Sequence, residues 1–243
     1  VGEWADLGDV ALAAGHRDRF MPSTEQLDLM EIYVDTADPE QIRQSTELGV
    51  VDGVTTNPSI VAETGLGYPA AIERIAPLID GPVYAQVTAG DVEGMIAQAH
   101  EYDAVASAIV VKLPANRAGF RALAKVRADG IAAGTTVVFS LEQAVLAAKN
   151  GATFVAPYVG RLEDAGADGI GTVTAIQQSF DRYGFETTVL AASIRTSAQA
   201  AALYEVGVDA VTMAPAVLGA HVTDERTTQS IAGFAADWQA RDG

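Results

Sequence analysis

The chain has 243 residues, of which 49% are hydrophobic and 19% charged, a balance that predicts a folded core and argues against intrinsic disorder. Its formal net charge of −17 argues against binding to nucleic acids and to anionic membranes, because a field of that sign repels both. Cysteine is absent, which excludes disulfides and Cys-ligated zinc, and the three histidines show no metal-ligand spacing, so the sequence predicts no His-rich metal site.

Residues 1–29 are weakly patterned and are interpreted as an N-terminal extension that is partly helical between Trp4 and Ala14. A secretory signal has a basic region followed by an apolar one, and these residues show no such arrangement. No uncharged apolar run in the chain reaches the roughly 18 residues of a membrane-spanning helix. The sequence therefore predicts a cytoplasmic protein whose main domain covers residues 30–243.

The acid excess comes with twelve arginines and only three lysines, at positions 112, 125 and 149. A cytoplasm of molar salt and a GC-rich genome would each produce this composition, and the sequence leaves both open. In such an acidic protein, an anionic substrate needs a local cluster of positive groups to overcome repulsion.

Eight short apolar runs rich in β-branched residues follow one another from Met30 onward. Such runs are typical of parallel strands that are buried on both faces. The predicted strands cover residues 32–36, 53–57, 83–87, 108–112, 135–139, 153–157, 188–192 and 210–214.

Amphipathic stretches separate these runs, and several start after Ser, Thr, Asp or Pro and end at Gly. A last helix is predicted from about Asp224 to Gln239. Strict alternation of eight strands with helices predicts an α/β protein with a single (β/α)8 TIM barrel and an additional C-terminal helix. The alternative, a doubly wound sheet, would call for a glycine-rich phosphate turn after the first strand, where the chain reads DTADPE.

Lys112 gives the sharpest functional signal, because it ends an apolar run at the edge where barrels place their chemistry. A buried lysine must lose its charge, pair, or face a cavity. Desolvation would favour the free amine that a Schiff base requires. The alternative is a lysine whose head reaches solvent at the barrel mouth.

Other polar residues stand on the predicted strands or at their ends. Asp35 is either a general acid/base or a helix N-cap. Gln86 carries an amide that needs a partner if it is buried. Thr136 and Tyr158 are either site residues or ordinary strand and packing residues.

Arg161, Ser193 and Arg195 follow the sixth and seventh predicted strands. Loops after the late strands of such barrels often bind phosphate, and guanidinium groups bind it through charge-assisted hydrogen bonds. Salt bridges to some of the 32 acidic residues are the alternative.

Six segments together resemble the small transaldolase family, which includes the fructose-6-phosphate aldolases, in order and spacing. The resemblance covers about residues 30–240. The segments are YVDTAD, GVTTNPSI, VYAQVTAGDVEGM, IVVKLP, GATFVAPYVGRLED and VLAASIRT.

The resemblance implies class I aldol chemistry without a metal or another cofactor, in which Lys112 forms a Schiff base with a ketose such as fructose 6-phosphate. Asp35 would be the acid/base, and Thr55 with Asn57 would contact the hydroxyls of a dihydroxyacetone unit. The water that relays protons at the imine would be held by Gln86, Thr136 and Tyr158. The phosphate group would be bound by Arg161, Ser193 and Arg195. It also implies a homo-oligomer, a pentamer or decamer, in which the C-terminal helix reaches a neighbour.

Two residues distinguish the subtypes of this family. Gln86 and Tyr158 resemble the aldolases, whereas transaldolases carry Glu and Phe there; residues 138–140, Gly160 and Arg195 look more like transaldolases. We therefore expect an aldolase, with a transaldolase as the alternative. TTNPS argues against a deoxyribose-phosphate aldolase, and Lys112 argues against a phosphosugar-binding regulatory subunit that has lost turnover.

Overall fold

The structure is a computed structural model that describes residues 30–241. The predicted N-terminal extension, with its partly helical stretch, therefore lies outside the described residues, and so do the last two residues of the chain. Among the residues described, no helix is long and apolar enough to cross a bilayer.

Eight parallel strands close into a barrel in which each strand pairs with the next along the chain and the eighth pairs with the first. The predicted (β/α)8 barrel is confirmed. The strands are β1 (Glu31–Asp35), β2 (Gly53–Thr55), β3 (Val83–Gln86), β4 (Ile109–Pro114), β5 (Ala133–Val138), β6 (Phe154–Pro157), β7 (Thr188–Ile194) and β8 (Ala210–Met213).

Helices follow every strand on the outside of the barrel. They are α1 (Pro39–Thr46), α2 (Pro58–Glu63), α3 (Tyr68–Ile75), α4 (Val92–Asp103), α5 (Arg117–Ala128), α6 (Leu141–Lys149), α7 (Val159–Asp164), α8 (Gly169–Tyr183), α9 (Ser197–Val206), α10 (Pro215–His221) and α11 (Glu225–Ala240), with a 3₁₀ turn over Ala76–Leu78.

The helix ends follow the local chemistry of their sequences. Thr196 forms a reciprocal capping box with Gln199 at the start of α9. Gly184 and Gly207 end α8 and α9 in the left-handed conformation, which glycine adopts without steric cost.

Three helices were not predicted: α2, α7 and α10, of six, six and seven residues. They are too short to show a helical period, and they follow strands β2, β6 and β8. All three therefore start at the rim where the polar strand ends lie.

The interior of the barrel is filled by aromatic side chains. Tyr84 packs edge to face against both Tyr33 and Phe154. Its ring centroid lies 5.2 Å from that of Tyr33 and 4.9 Å from that of Phe154. Gly134 faces this cluster, and a Cβ at that position would lie 2.1 Å from the Phe154 carbonyl oxygen. Because side chains alternate along a strand, Tyr33 and Tyr84 form a layer one step below Asp35 and Gln86. This aromatic layer is the floor of the polar site.

Helix α11 confirms the predicted C-terminal helix, and none of its residues is buried. Ile231, Phe234 and Trp238 lie on one face of the helix and are 62%, 72% and 63% exposed. The helix therefore presents an uncovered apolar stripe.

Candidate active site

Lys112 lies on β4 and is 5% exposed at the C-terminal mouth of the barrel. Its neighbours Val111 and Leu113 pack in the core cluster that joins strands and helices, so Lys112 points to the barrel interior. Its Nζ donates a hydrogen bond of 2.8 Å to the carbonyl of Thr56. The site thus contains an almost fully desolvated amine.

Asp35, at the end of β1, accepts a 2.7 Å hydrogen bond from the hydroxyl of Thr55. Thr55 has only one hydroxyl proton, so the 2.6 Å contact with Thr212 requires the Thr212 hydroxyl to donate. Burial raises the pKa of Asp35 above its usual range, while the charge of Lys112 and the Thr55 hydrogen bond act in the opposite direction. A carboxyl in this position can hold a proton nearer to neutral pH than an exposed one.

Gln86 ends β3, and its side-chain Oε1 is buried without a hydrogen-bond partner among residues 30–241. On β5, Thr136 is fully buried, and its hydroxyl lies 3.1 Å from that of Tyr158. One unpartnered amide oxygen and two hydroxyls therefore belong to strand ends that face the same mouth.

Val137 has a φ of 59°, a left-handed conformation that is rare for a β-branched residue. It lies between Thr135 and Val138, where the pairing of β5 with β6 shifts in register. The bulge leaves Val137 packed with the interior aromatic cluster and therefore lets two consecutive side chains, Thr136 and Val137, face inward. Strain of this kind is concentrated at functional sites.

Asn57 caps α2, and its Oδ1 accepts hydrogen bonds of 3.1 Å from the amides of Ser59 and Ile60. Because Oδ1 is used in the cap, the predicted contact of Asn57 with substrate hydroxyls would be made by its side-chain NH₂ group. The cap holds that group in place at the rim.

Arg161 and Arg195 are exposed on one side of the mouth. The Arg161 guanidinium lies 5.1 Å from the ring centroid of Tyr158. Both terminal nitrogens of Arg195 bind the carboxylate of Asp164, one of them at 2.6 Å. The Arg195 hydrogen bonds lower the pKa of Asp164, and the charge of Arg161 adds to the effect. Ser193, on the same side, has a φ of 59°.

Three residues of this arrangement escaped the sequence analysis: Asp164, Thr212 and Tyr68, whose hydroxyl lies 2.9 Å from that of Thr56. Thr212 had a usable signal, because it is the polar residue of the eighth apolar run. Tyr68 lies on a helix, and Asp164 is one acid among 32, so neither gave such a signal. Within residues 30–241, no group of three or more His, Asp or Glu side chains could hold a metal ion.

A family model described as "Transaldolase/Fructose-6-phosphate aldolase" matches residues 32–242 of the chain. Proteins named "Probable transaldolase" from Lactiplantibacillus plantarum, Methanococcus maripaludis and Rhizobium meliloti are similar to it. In that order, they are 43%, 41% and 42% identical to this chain. The matched regions cover 87%, 87% and 86% of this chain, and 97%, 98% and 96% of the three relatives. These names favour the transaldolase alternative over the aldolase that Gln86 and Tyr158 predicted.

Among solved structures, a thiamine phosphate pyrophosphorylase from Pyrococcus furiosus is similar with a TM-score of 0.55 at 20% identity. The match covers 78% of this chain and 88% of that one. At this identity the likeness concerns the fold.

The raised pKa of Asp35 predicts how its replacement changes stability with pH. A raised folded-state pKa contributes stability that is present below the unfolded pKa of about 3.9 and is lost as pH rises through the folded value. Asp35→Asn cannot ionise, so we expect it to melt above the wild type at pH 7, by roughly 2–4 °C for each kcal/mol of penalty removed.

The measurement is a series of melting temperatures from pH 4 to 8. The difference between Asp35→Asn and the wild type is expected to shrink towards pH 4. Asp103→Asn, on the exposed end of α4, is the control. A difference that does not change with pH would show that burial does not govern the ionisation of Asp35.

Proposed function

The chain belongs to the transaldolase/fructose-6-phosphate aldolase family, and from that premise we propose that it transfers a dihydroxyacetone unit between sugar phosphates through a Schiff base on Lys112. The observation that carries the proposal is the Lys112 amine, 5% exposed at the mouth of the barrel and bound to one carbonyl oxygen. A function limited to binding would not need a buried amine there.

In the proposed reaction, the Lys112 amine attacks the ketone of the donor sugar, and loss of water gives an iminium ion. Asp35 takes the proton of the hydroxyl on the fourth carbon. The bond between the third and fourth carbons then breaks, its electrons pass to the iminium group, and an aldehyde leaves. The remaining enamine attacks the acceptor aldehyde, and Asp35 returns the proton to the new hydroxyl. Water then hydrolyses the resulting iminium ion, which releases the product ketose and restores the Lys112 amine. The raised pKa of Asp35 supports both transfers.

We propose that Arg161, Ser193 and Arg195 receive the phosphate group. The two guanidinium groups lie around Asp164 on the β6–β7 side of the mouth. Phosphate offers Arg195 the same paired oxygens that the Asp164 carboxylate offers. In this chain of net charge −17, the two arginines provide the local positive potential that an anionic substrate needs.

A second candidate is cleavage without an acceptor, the fructose-6-phosphate aldolase reaction. Two observations at the mouth favour it. The Thr136 and Tyr158 hydroxyls lie 3.1 Å apart, and the buried side-chain oxygen of Gln86 has no hydrogen-bond partner among residues 30–241. These groups can hold a water molecule for hydrolysis of the dihydroxyacetone imine. A water held in this way would release free dihydroxyacetone.

The experiment that tests the proposed function traps the Schiff base. Borohydride with fructose 6-phosphate or dihydroxyacetone is expected to fix an adduct on Lys112 alone, because Lys125 and Lys149 are exposed on outer helices. Lys112→Met is expected to lose turnover and remain folded, and Lys125→Met is the matched control. An adduct on Lys125 or Lys149, or none at all, would contradict the proposal.

The same preparation separates the two candidates. Fructose 6-phosphate is supplied with and without erythrose 4-phosphate, and free dihydroxyacetone is measured. Turnover that depends on the acceptor supports the transaldolase, and release without an acceptor supports the aldolase.

Tyr158→Phe tests the water directly, because it removes one hydroxyl and keeps the ring that packs against Phe139 at 6.1 Å. We expect dihydroxyacetone release to fall about tenfold or more, the lower part of the range for general acid–base catalysis. Transfer to an added aldehyde is expected to fall much less, since attack by the enamine does not use that water. Parallel loss of both activities would make Tyr158 a packing residue.

We propose that the protein forms a homo-oligomer, supported by the uncovered apolar stripe of α11. An isolated helix with Ile231, Phe234 and Trp238 exposed gains stability when a second copy covers them. The expected result is an oligomer by light scattering that Trp238→Glu converts to smaller species. Tyr183→Glu, which replaces a similarly exposed ring at the end of α8, is the control. A wild-type monomer would refute the proposal.

A further inference from the structure

The pairing of β2 with β3 stops one rung early. Val54 and Thr56 donate from their amides to the carbonyls of Pro82 and Tyr84, both at 3.0 Å. In a parallel ladder the next bond would run from the Gln86 amide to the Thr56 carbonyl. Instead, the Gln86 amide donates to the Tyr68 hydroxyl at 2.9 Å, and the Thr56 carbonyl accepts from Lys112.

The direction of each hydrogen bond at Tyr68 follows from the available protons. The hydroxyl of Thr56 donates to the carbonyl of Tyr84 at 2.8 Å, so its 2.9 Å contact with Tyr68 needs a proton from Tyr68. Tyr68 therefore accepts one hydrogen bond and donates another. Burial raises the pKa of Tyr68 well above its ordinary range, so the phenol keeps this proton.

We infer that Tyr68 is a positioning residue whose hydroxyl replaces the missing rung and thereby leaves the Thr56 carbonyl to the Lys112 amine. The inference rests on the proposed function, in which Lys112 is the nucleophile. The same hydroxyl accepts a hydrogen bond from the backbone amide of Gln86. It therefore also sets the position from which the Gln86 side chain enters the mouth of the barrel. Tyr68 lies on α3, outside the barrel, and is 8% exposed.

Removal of the hydroxyl has a defined structural consequence. In Tyr68→Phe, the buried Gln86 amide has lost its acceptor, and the nearest replacement along the ladder is the Thr56 carbonyl. Lys112 would then share that oxygen with the Gln86 amide, so its side chain would lose part of the hydrogen bond that holds it. The ring and its stacking on Tyr102, with centroids 5.1 Å apart, are preserved.

The test measures the reactivity of Lys112 without any substrate. Formaldehyde and borohydride methylate lysine amines, and peptide mass spectrometry follows Lys112 against pH, with the exposed Lys125 and Lys149 as internal references. In Tyr68→Phe, the pH of half-maximal methylation at Lys112 is expected to move lower. Turnover is expected to fall about tenfold with little change in melting temperature, because small misplacements of reacting groups are costly.

Tyr102→Phe is the matched control. Tyr102 is 1% exposed and its ring stacks on that of Tyr68, but the hydrogen bonds to the Thr56 hydroxyl and the Gln86 amide are made by Tyr68. Asp35, whose carboxyl is influenced by the charge of Lys112, is intact in both variants. Equal methylation midpoints in the two variants would overturn the inference. Failure of the wild type to form a dihydroxyacetone adduct would refute the proposed function alone, because methylation needs no substrate.

Discussion

The burial of one amine and one carboxyl together, Lys112 and Asp35, is the constraint on which the mouth of this barrel depends. Burial disfavours the charged form of the carboxyl, and the nearby charge of Lys112 offsets part of that cost. The surrounding polar atoms follow from that cost. The Thr56 carbonyl accepts from the amine, and the Thr55 hydroxyl donates to the carboxyl. The aromatic layer beneath excludes water and strengthens these interactions.

The sequence predicted the barrel because its strands are buried on both faces and therefore appear as apolar runs. For the same reason Lys112 was conspicuous, as a cation within such a run. The short helices α2 and α7 were missed because six residues do not show a period. The bulge at Val137 was also missed, because a valine gives no sign of a left-handed backbone.

The contacts between elements were harder still to predict. Tyr68 reads as an apolar helical residue, and its hydroxyl gains a role only because β2 and β3 separate at their ends. Asp164 has no distinctive pattern in an acidic chain, although the fold places it on Arg195. Such roles depend on residues far apart in sequence, which periodicity and composition do not join. The roles of the ten predicted site residues stay predictions, and the structure supplies the geometry in which to test them.

The ion pair of Arg195 with Asp164 bears on how quickly an anion can leave. An anion that binds Arg195 exchanges with a carboxylate that the protein itself carries, so its net affinity is the difference between two similar ion pairs. When the product departs, the Asp164 carboxylate can bind the Arg195 guanidinium again before water has fully solvated the guanidinium. At the proposed phosphate site, a tethered carboxylate of this kind would weaken retention of the product and favour rapid turnover.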